Sequence, residues 1–330
     1  MSGFFHRAAR FLAAAATFST GVSALAVPGD AAGAPPPIAV VATIPALAEW
    51  TARVGGRHVT VETLLPPGAS PHVFEPSASG MRRVSQARLF VCVGLRMDDW
   101  AARLAKAAGR GAAVLPLGDA LAARGGLART DAALSGTQVL GGGHPAGDGH
   151  DHGHDHGDGP NPHFWLDPTM AAACLDDLTT ALTALSPSHG AEFTSNAAAY
   201  RLELAALDVE LAATLAPVRG QSFVAFHDAY PYLAARYGLK VAAVIEESPG
   251  KVPSDRYVRE VSNKLRVLKI TTVFTEPQLN PRVAEILAAA VGAKTAMLDP
   301  YGTPGSADRG DYAATLRYNA ARLREAMNGK

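Results

Sequence analysis

The chain has 330 residues, 48% of them hydrophobic and 18% charged, which is typical of a globular protein and predicts two domains of roughly 150 residues each. Thirty basic residues balance thirty acidic ones, so the zero net charge excludes partners held by charge alone, such as nucleic acid or an anionic membrane surface. Two cysteines exclude a disulfide-dense scaffold and a four-cysteine zinc module. The unusual feature is the histidine content, because five of the eleven histidines lie between His144 and His156.

The N-terminal segment, residues 1–26, has the pattern of a signal peptide. Two arginines and a histidine precede an apolar run over 11–26, which ends in Ala-Leu-Ala, the small-residue pattern that signal peptidases accept. This run is shorter than the roughly 20 residues of a membrane-spanning helix, so a membrane anchor is the less favoured alternative. No cysteine lies near the cleavage point, and a lipid anchor is therefore not expected. Residues 27–37, which end in three prolines, are predicted to be an unstructured leader.

The first half of the remaining chain alternates short apolar runs with helical patterns. Such β-α units indicate a mostly parallel sheet covered by helices. The pattern breaks over 119–162, a stretch rich in Gly, His and Asp that is predicted to form a long loop. The predicted strands are 38–43, 58–65, 89–95 and 112–117, and the predicted helices are 46–54, 77–86 and 98–108.

Two helical patterns follow the loop, the first over 168–185 and the second over 188–215. A helix of the second length extends roughly 40 Å, which is long for one small domain and favours a connector between two. Its apolar positions recur at largely helical spacing, and they are Leu202, Leu204, Leu207, Leu211 and Leu215.

The last part of the chain resumes the strand and helix alternation. The predicted strands are 222–226, 240–245, 271–275 and 295–298, and the predicted helices are 229–237, 254–268, 281–291 and 311–327. We therefore predict an α/β fold with two lobes, each a mostly parallel sheet flanked by helices. The predicted boundaries are 38–187 for the N-terminal lobe, 188–216 for the connecting helix and 217–330 for the C-terminal lobe.

Three histidines outside the cluster and one aspartate lie where strands or loops end. His72 follows strand 58–65, His163 follows the long loop, and His227 and Asp299 each follow a strand. Ligands bind outside the carboxyl ends of the strands in parallel α/β sheets, so these side chains are candidates for one crevice. Three imidazoles and a carboxylate suit Zn²⁺. The alternative for each residue is a hydrogen-bonded surface or capping role, since their spacing matches no local metal motif.

The segments around these residues carry a resemblance to a known family. They are Pro-Gly-Ala-Ser-Pro-His72-Val-Phe-Glu-Pro-Ser, Asn-Pro-His163-Phe-Trp-Leu-Asp-Pro, Phe-His227-Asp-Ala-Tyr-Pro-Tyr-Leu, Phe-Thr-Glu-Pro-Gln and Leu-Asp299-Pro-Tyr-Gly. In this order, and with the long central helix, they resemble the cluster A-I metal-specific solute-binding proteins of bacterial ABC importers. The similarity is closest to the periplasmic zinc-binding branch, and it covers nearly the whole chain after the leader.

The resemblance implies two α/β lobes joined by one rigid helix, with the metal held in the cleft between them. The residues that match the family's metal ligands are His72 and His163 from the first lobe, and His227 and Asp299 from the second. Water is the alternative to Asp299 in zinc-binding relatives. Many manganese-binding relatives have Glu at the position of His227, so His227 favours zinc.

The resemblance also implies a function. We expect a monomeric periplasmic protein, without catalysis of its own, that captures Zn(II) as a transported ligand and delivers it to the transmembrane permease of an ABC importer. The alternatives are the same role for manganese or another divalent metal, and a periplasmic zinc buffer or metallochaperone. A secreted zinc hydrolase is disfavoured because the sequence has neither a His-Glu-x-x-His motif nor a Gly-x-Ser-x-Gly motif.

The clustered histidines lie in a predicted His/Asp-rich loop over 141–160. Flexible, glycine-spaced side chains can bind a divalent ion without a preformed site, but ordering the chain costs about 1–2 kcal/mol per residue, so we expect weak, exchangeable binding. We interpret the loop as one that collects or senses zinc for the cleft, and a solvated spacer is the alternative. The auxiliary ligands are predicted to be His144, His150, His152, His154 and His156.

Two smaller sets of residues have open interpretations. Glu75, Asp167 and Asp228 lie near the candidate ligands in sequence and are candidates to orient the imidazoles. A helix cap is the alternative for Asp167, because a proline follows it. Cys92 and Cys174 are able to pair in an oxidising compartment, but buried, unpaired thiols are favoured.

Overall fold

The computed structural model describes residues 36–100, 112–127, 138–139, 159–245 and 254–328, all of which belong to one compact unit. The predicted signal peptide lies outside these residues, as do the leader up to residue 35 and the part of helix 98–108 beyond residue 100. The five clustered histidines also lie outside them.

A four-stranded parallel sheet forms the centre of the first lobe. Its strand order is β2-β1-β3-β4, with Ile38 opposite Val59 and Val40 opposite Leu89. The two central strands are almost wholly apolar, as expected for a parallel sheet that is covered on both faces. The strands are β1 (Ile38–Ala42), β2 (Val59–Thr63), β3 (Leu89–Cys92) and β4 (Ala113–Pro116).

Helices cover this sheet and fill its core. They are α1 (Pro45–Gly55), α2 (Ala78–Gln86), α3 (Leu117–Ala123) and α4 (Pro168–Leu185). The first and last begin at proline, whose fixed φ and missing N–H suit the first helical position. Trp50 of α1 and Leu178 of α4 are completely buried in the same hydrophobic core.

A single long helix, α5 (Gly190–Leu215), connects the two lobes. Its 26 residues give it a length of about 39 Å. It packs against α1 and α4. Its buried face consists of Phe193, Ala197, Tyr200, Leu204, Leu207, Leu211 and Leu215. The prediction of an apolar face was wrong for Leu202, whose side chain is 74% exposed. Leu202 lies five residues before Leu207, a spacing that turns it to the opposite side of the helix.

The second lobe contains five described strands. β5, β7 and β6 form a parallel sheet in that order, β8 and β9 form a parallel pair, and β8 runs beside β6. The strands are β5 (Gln138–Val139), β6 (Ser222–Ala225), β7 (Lys240–Val244), β8 (Thr272–Thr275) and β9 (Lys294–Met297). The helices are α6 (Pro231–Tyr237), α7 (Asp255–Val267), α8 (Pro281–Val291) and α9 (Tyr312–Asn328), and α9 packs against α5.

The structure corrects two sequence predictions in the first lobe. The strand predicted over 89–95 ends at Cys92, because the chain turns through positive φ at Gly94, Leu95 and Arg96. The buried Asp98 holds this turn, since its carboxylate accepts the N–H groups of Val93 (2.7 Å) and Gly94 (2.8 Å).

The stretch predicted as loop, 119–162, contains regular structure. The helix α3 occupies its beginning, and β5 pairs with β7 in the second lobe, with Gln138 opposite Ala243 and Val139 opposite Val244. A two-residue strand has too few residues to show a periodic pattern, so its partner strand rather than its own sequence defines it.

The two cysteines are free and buried, which confirms the interpretation as unpaired thiols. Burial raises the pKa of both thiols, in Cys174 to about 12. Among the described helices, none is long and apolar enough to cross a membrane.

Replacement of Leu207 by Ala should lower the free energy of unfolding by about 2–5 kcal/mol, because Leu207 is only 3% exposed and its loss leaves a cavity between α5 and the lobes. Leu202→Ala on the same helix is the matched control, and its effect should stay within about 0.5 kcal/mol. Urea denaturation of the metal-free protein measures both. Equal losses in the two variants would contradict the orientation of α5.

Candidate metal site

Three of the four predicted ligands, His72, His163 and His227, come together in the structure. His72 lies in the loop between β2 and α2 and is half-buried. His163 is completely buried and immediately precedes a short 3₁₀ turn, Phe164–Leu166. His227 follows β6 and is also buried. These chain segments converge in the structure. This agrees with the rule that ligand sites form outside the carboxyl ends of parallel strands.

The three imidazoles meet through their Nε2 atoms. The Nε2 of His163 lies 3.1 Å from that of His72 and 3.3 Å from that of His227. One ligand atom from each ring lies within 4.8 Å of the others. A tetrahedral zinc site with Zn–N bonds of about 2.0–2.1 Å has nitrogens separated by about 3.3–3.4 Å, so the spacing suits one ion shared by the three rings.

Asn161 fixes the ring of His163. Its Oδ1 lies 2.9 Å from His163 Nδ1 and accepts the backbone N–H of His163 at 3.0 Å. Its Nδ2 donates to the backbone oxygen (2.8 Å) and the carboxylate (3.0 Å) of Asp228. The hydroxyl of Tyr232 donates to the backbone oxygen of Asn161 at 2.7 Å. When His163 donates its Nδ1–H to Asn161, its lone pair lies on Nε2. The Asn161 side chain also links His163 to Asp228, the residue that follows His227.

Glu276 performs the corresponding role for His227. Its fully buried carboxylate has Oε2 2.6 Å from His227 Nδ1, and Oε1 accepts the backbone N–H of His227 at 3.4 Å. Carboxylates in this position fix the tautomer of a metal-binding imidazole and increase its basicity. Glu276 lies in the Phe-Thr-Glu-Pro-Gln segment that contributes to the family resemblance, but no pattern in the sequence assigns it a role. Its place directly after strand β8 was the available signal.

Asp299 lies outside the histidine group. Its carboxylate accepts hydrogen bonds from five donors within its own lobe. Oδ1 accepts from Gln278 Nε2 (3.0 Å) and from the backbone N–H groups of Tyr301 (3.1 Å) and Gly302 (3.0 Å). Oδ2 accepts from Thr303 Oγ1 (3.1 Å) and Arg309 Nε (3.2 Å). The ligand role of Asp299 therefore stays a prediction without support from this arrangement.

Tyr301 reaches the histidine group from the segment that Asp299 organises. Its hydroxyl oxygen lies 3.5 Å from His163 Nε2, and its ring is tilted against that of Trp165 with centroids 5.6 Å apart. Burial, with the nearby charges of Glu276 and Asp299, raises the pKa of Tyr301 well above its ordinary value. The hydroxyl is therefore protonated in the metal-free protein. No pattern in the sequence marks this residue, because tyrosine is not a common metal ligand.

The remaining predicted site residues have other roles or lie outside the described chain. Asp167 caps α4, accepting the N–H of Thr169 at 2.8 Å, which confirms the capping interpretation. Asp228 contacts Asn161, and through it His163, as described above. Glu75 is exposed in the loop that follows His72. Within the described ranges, the three histidines are the one group of His, Cys, Asp or Glu arranged to hold a metal.

A cavity lies beside this group. It has a volume of about 160 Å³ and is lined by Glu49, Trp165, Tyr301 and Arg309 among others, but by none of the three histidines. The Trp165 and Tyr301 side chains therefore border both the cavity and the histidine group.

Known zinc-uptake and zinc-binding proteins are similar to this chain. The chain is 36% identical over 166 residues to a high-affinity zinc uptake system protein ZnuA of Brucella suis, covering 50% of each protein. It is 31% identical over 264 residues to the zinc-binding lipoprotein AdcA of Streptococcus pneumoniae, covering 79% of this chain and 49% of that one. The chain thus spans about half the length of the curated relatives it matches.

A solved structure and a family model extend the match. The crystal structure of a ZnuA shares the fold, with a TM-score of 0.69 at 24% identity over 88% of this chain and 99% of that one. The model of the family described as "ZnuA: Zinc-uptake complex component A periplasmic" matches residues 40–326. Because this match covers well over half of the chain, including the connecting helix and all three histidines, the chain belongs to the ZnuA family.

Proposed function

We propose that this protein binds Zn(II) in the periplasm and delivers it to the permease of an ABC importer, without catalysing a reaction. The observation that carries the proposal is the convergence of three imidazole Nε2 atoms, with 3.1 and 3.3 Å between neighbours, from chain segments of both lobes. The printed names of the relatives, a high-affinity zinc uptake protein and a zinc-binding lipoprotein, support it.

The donor set favours zinc over manganese. Imidazole nitrogen suits Zn²⁺, whereas Mn²⁺ prefers carboxylate, carbonyl and water oxygens. The carboxylate of Glu276 contacts His227 at Nδ1 and not at Nε2, the nitrogen that faces the other two rings. We therefore propose His72, His163 and His227 as the ligands of the transported ion, with Glu276 and Asn161 orienting two of the rings.

The arrangement suits binding without hydrolysis. His163 and His227 are buried, and each contacts a neighbouring polar group that fixes its ring. The Glu276 carboxylate is engaged with His227, so it is unsuited to act as the general base of a metal hydrolase. We also propose that the protein acts as a monomer released from its signal peptide at about residue 26 and not lipid-anchored.

The lobe boundaries are part of the proposal. Residues 38–187 would form the N-terminal lobe, 188–216 the connecting helix and 217–330 the C-terminal lobe. The packing of α5 against both α4 and α9 supports the position of the connecting helix. The strand β5 departs from this division, since it belongs to the first range in sequence and pairs with the sheet of the second.

Replacement of His163 by Ala should weaken zinc binding about 100-fold or more, because a four-ligand zinc site worth about 10–16 kcal/mol loses one of its donors. Competition titration with a chromophoric chelator, run for Zn²⁺ and for Mn²⁺, measures the affinity. The matched control is His189→Ala, since His189 stacks on His58 and does not belong to the histidine group.

Three outcomes of this titration would count against the proposal. Preference of the unmodified protein for Mn²⁺ would assign a different cargo. Full zinc affinity in His163→Ala would move the tight site elsewhere. If tight binding disappeared on deletion of residues 144–156 and survived loss of His163, the protein would be a zinc buffer or metallochaperone that depends on the clustered histidines.

Replacement of Glu276 by Gln should lower zinc affinity roughly 10-fold, because the uncharged amide no longer supports the His227 ring electrostatically. The matched control is Glu192→Gln, which alters a glutamate that also contacts a histidine, with Oε2 2.9 Å from His58 Nε2, outside the site. The same competition titration applies to both variants. Unchanged affinity in Glu276→Gln, or an equal loss in Glu192→Gln, would contradict the assigned role.

A further inference from the structure

We infer that Asp98 is a positioning residue of the metal site, because it holds the turn over 93–98 against the loop over 64–77 that carries His72. The inference rests on the proposed metal-binding function and adds to it a residue from outside the histidine group. Three features of the structure support it. They are the carboxylates that bind the turn, the left-handed backbone of the turn, and its packing on the His72 loop.

Two carboxylates bind three successive N–H groups of the turn. Asp98 accepts the N–H groups of Val93 at 2.7 Å and Gly94 at 2.8 Å. Asp119, in the first turn of α3, accepts the N–H group of Leu95 at 2.9 Å. Successive backbone N–H groups of this kind form a concavity that binds anions. Here the protein's own carboxylates fill it, and the buried Asp98 makes two of the three bonds.

The backbone of this turn is strained. Leu95 and Arg96 have φ of 52° and 66°, in the left-handed region that residues other than glycine rarely adopt. Such a conformation persists only where the surrounding structure imposes it, and it is concentrated at functional sites. At Gly94, with φ of 75°, a Cβ would lie 2.7 Å from a carboxylate oxygen of Asp119, so this close approach requires glycine. The two carboxylates thus hold a conformation that the chain does not favour by itself.

The turn and the His72 loop are neighbours at one edge of the first sheet. They leave the carboxyl ends of β3 and β2, the parallel strands on either side of β1. Phe74 lies in the His72 loop, and Trp100 directly follows the turn region. Their rings meet edge to face with centroids 5.5 Å apart, and both pack on a hydrophobic cluster that includes Leu64, where the His72 loop begins. A shift of the turn is therefore transmitted to the segment that carries His72.

The position of His72 depends on such packing. Residues 64–77 contain neither helix nor strand, and side chains on loops are held less precisely than those on regular elements. The Nε2 of His72 lies 3.1 Å from that of His163. Zinc sites keep their Zn–N distances within about 0.2 Å of 2.0–2.1 Å, so a small displacement of this loop lowers the affinity.

The ionisation of Asp98 makes this positioning depend on pH. Burial raises the pKa of Asp98 to about 6, and the bonds from the N–H groups of Val93 and Gly94 oppose this rise. The group is therefore an ionised acceptor of both bonds at pH 7.5. At pH 5.5 it is largely protonated, and one of its oxygens then carries a hydrogen that it donates.

The groups around the turn leave this titration to Asp98 itself. The titratable and charged groups of the turn and of the elements next to it are Cys92 on β3, Arg96 in the turn, Asp99 after it and Asp119 on α3. Burial raises the pKa of the Cys92 thiol, which therefore stays neutral. The Arg96 and Asp99 side chains are exposed to solvent, which screens their charges.

The test is Asp98→Asn, which keeps the size of the side chain and replaces one accepting oxygen by an NH₂ group. At pH 7.5 we expect zinc affinity to fall about 5-fold, the scale for residues that act on a site through others. At pH 5.5 the two proteins should differ by about 2-fold or less, because protonated Asp98 resembles the amide. Competition with a chromophoric chelator measures both, and the ratio of the two affinities cancels the protonation of the histidines that both proteins share.

Asp311→Asn is the matched control. Asp311 also accepts a backbone N–H, that of Ala314 at 2.7 Å, but it does so at the start of α9. Its replacement should leave the zinc affinity unchanged at both pH values. An equal loss in the two variants would contradict a specific role for Asp98.

The contact between Phe74 and Trp100 is tested by a second variant. Phe74→Leu removes the ring that meets Trp100. If Asp98 acts through this contact, Asp98→Asn should lower the affinity of Phe74→Leu little further, because residues in one pathway do not contribute additively. Losses that multiply in the double variant would contradict this transmission.

A further measurement uses the unmodified protein and applies even if Asp98→Asn fails to fold. Coupling between two sites is reciprocal, so zinc that fixes His72 also stabilises the turn. One equivalent of Zn²⁺ should slow hydrogen exchange at the N–H groups of Val93 and Gly94 more than at Gly125, whose N–H bonds the oxygen of Ala122 after α3. Equal slowing in the two turns would overturn the inference.

The outcomes separate this inference from the proposed function. If Asp98→Asn binds zinc like the unmodified protein at pH 7.5 while His163→Ala loses zinc, Asp98 is not a positioning residue and the proposed function stands. A loss in Asp98→Asn that is the same at both pH values reflects general destabilisation, and the inference fails as well. If His163→Ala binds zinc normally, the proposed function itself fails.

Discussion

The metal site depends on three imidazole rings whose Nε2 lone pairs point towards the same place inside the protein. An imidazole binds a metal only through an unprotonated nitrogen, and its ring rotates unless the other nitrogen is engaged. Asn161 engages His163, and Glu276 engages His227. Both partners approach the Nδ1 side and leave Nε2 directed at the shared point, so these two contacts convert scattered histidines into a binding site.

The surrounding fold maintains this geometry by linking the lobes at several places. The carboxylate of Glu49, on α1, accepts the N–H of Tyr312 at the start of α9 at 2.7 Å, where a negative charge also complements the helix dipole. The hydroxyl of Tyr312 donates to the oxygen of Trp165 at 2.6 Å, two residues after His163. Together with the bond from Asn161 to Asp228 and the packing of α5 on α1, α4 and α9, these contacts make the site largely preformed.

Much of this architecture could be predicted from the sequence, and the failures have physical causes. Apolar strands and proline-initiated helices have local signals, and the predicted bounds of α8, 281–291, agree with the structure. The roles of Asn161 and Glu276 depend on which residues meet after folding, so no periodicity reveals them. Asp299 shows the same limit. The sequence correctly predicts that Asp299 follows a strand. It does not reveal that the carboxylate accepts hydrogen bonds from Arg309 and from the N–H groups of the following turn.

The central claim is that one zinc ion binds among the three Nε2 atoms. The most direct measurement is a crystal structure of the zinc-loaded protein with anomalous scattering recorded on both sides of the zinc absorption edge. The account predicts one strong peak about 2.0–2.1 Å from the Nε2 atoms of His72, His163 and His227. A peak bound by other residues, or the absence of any peak among these three histidines at full zinc loading, would contradict it.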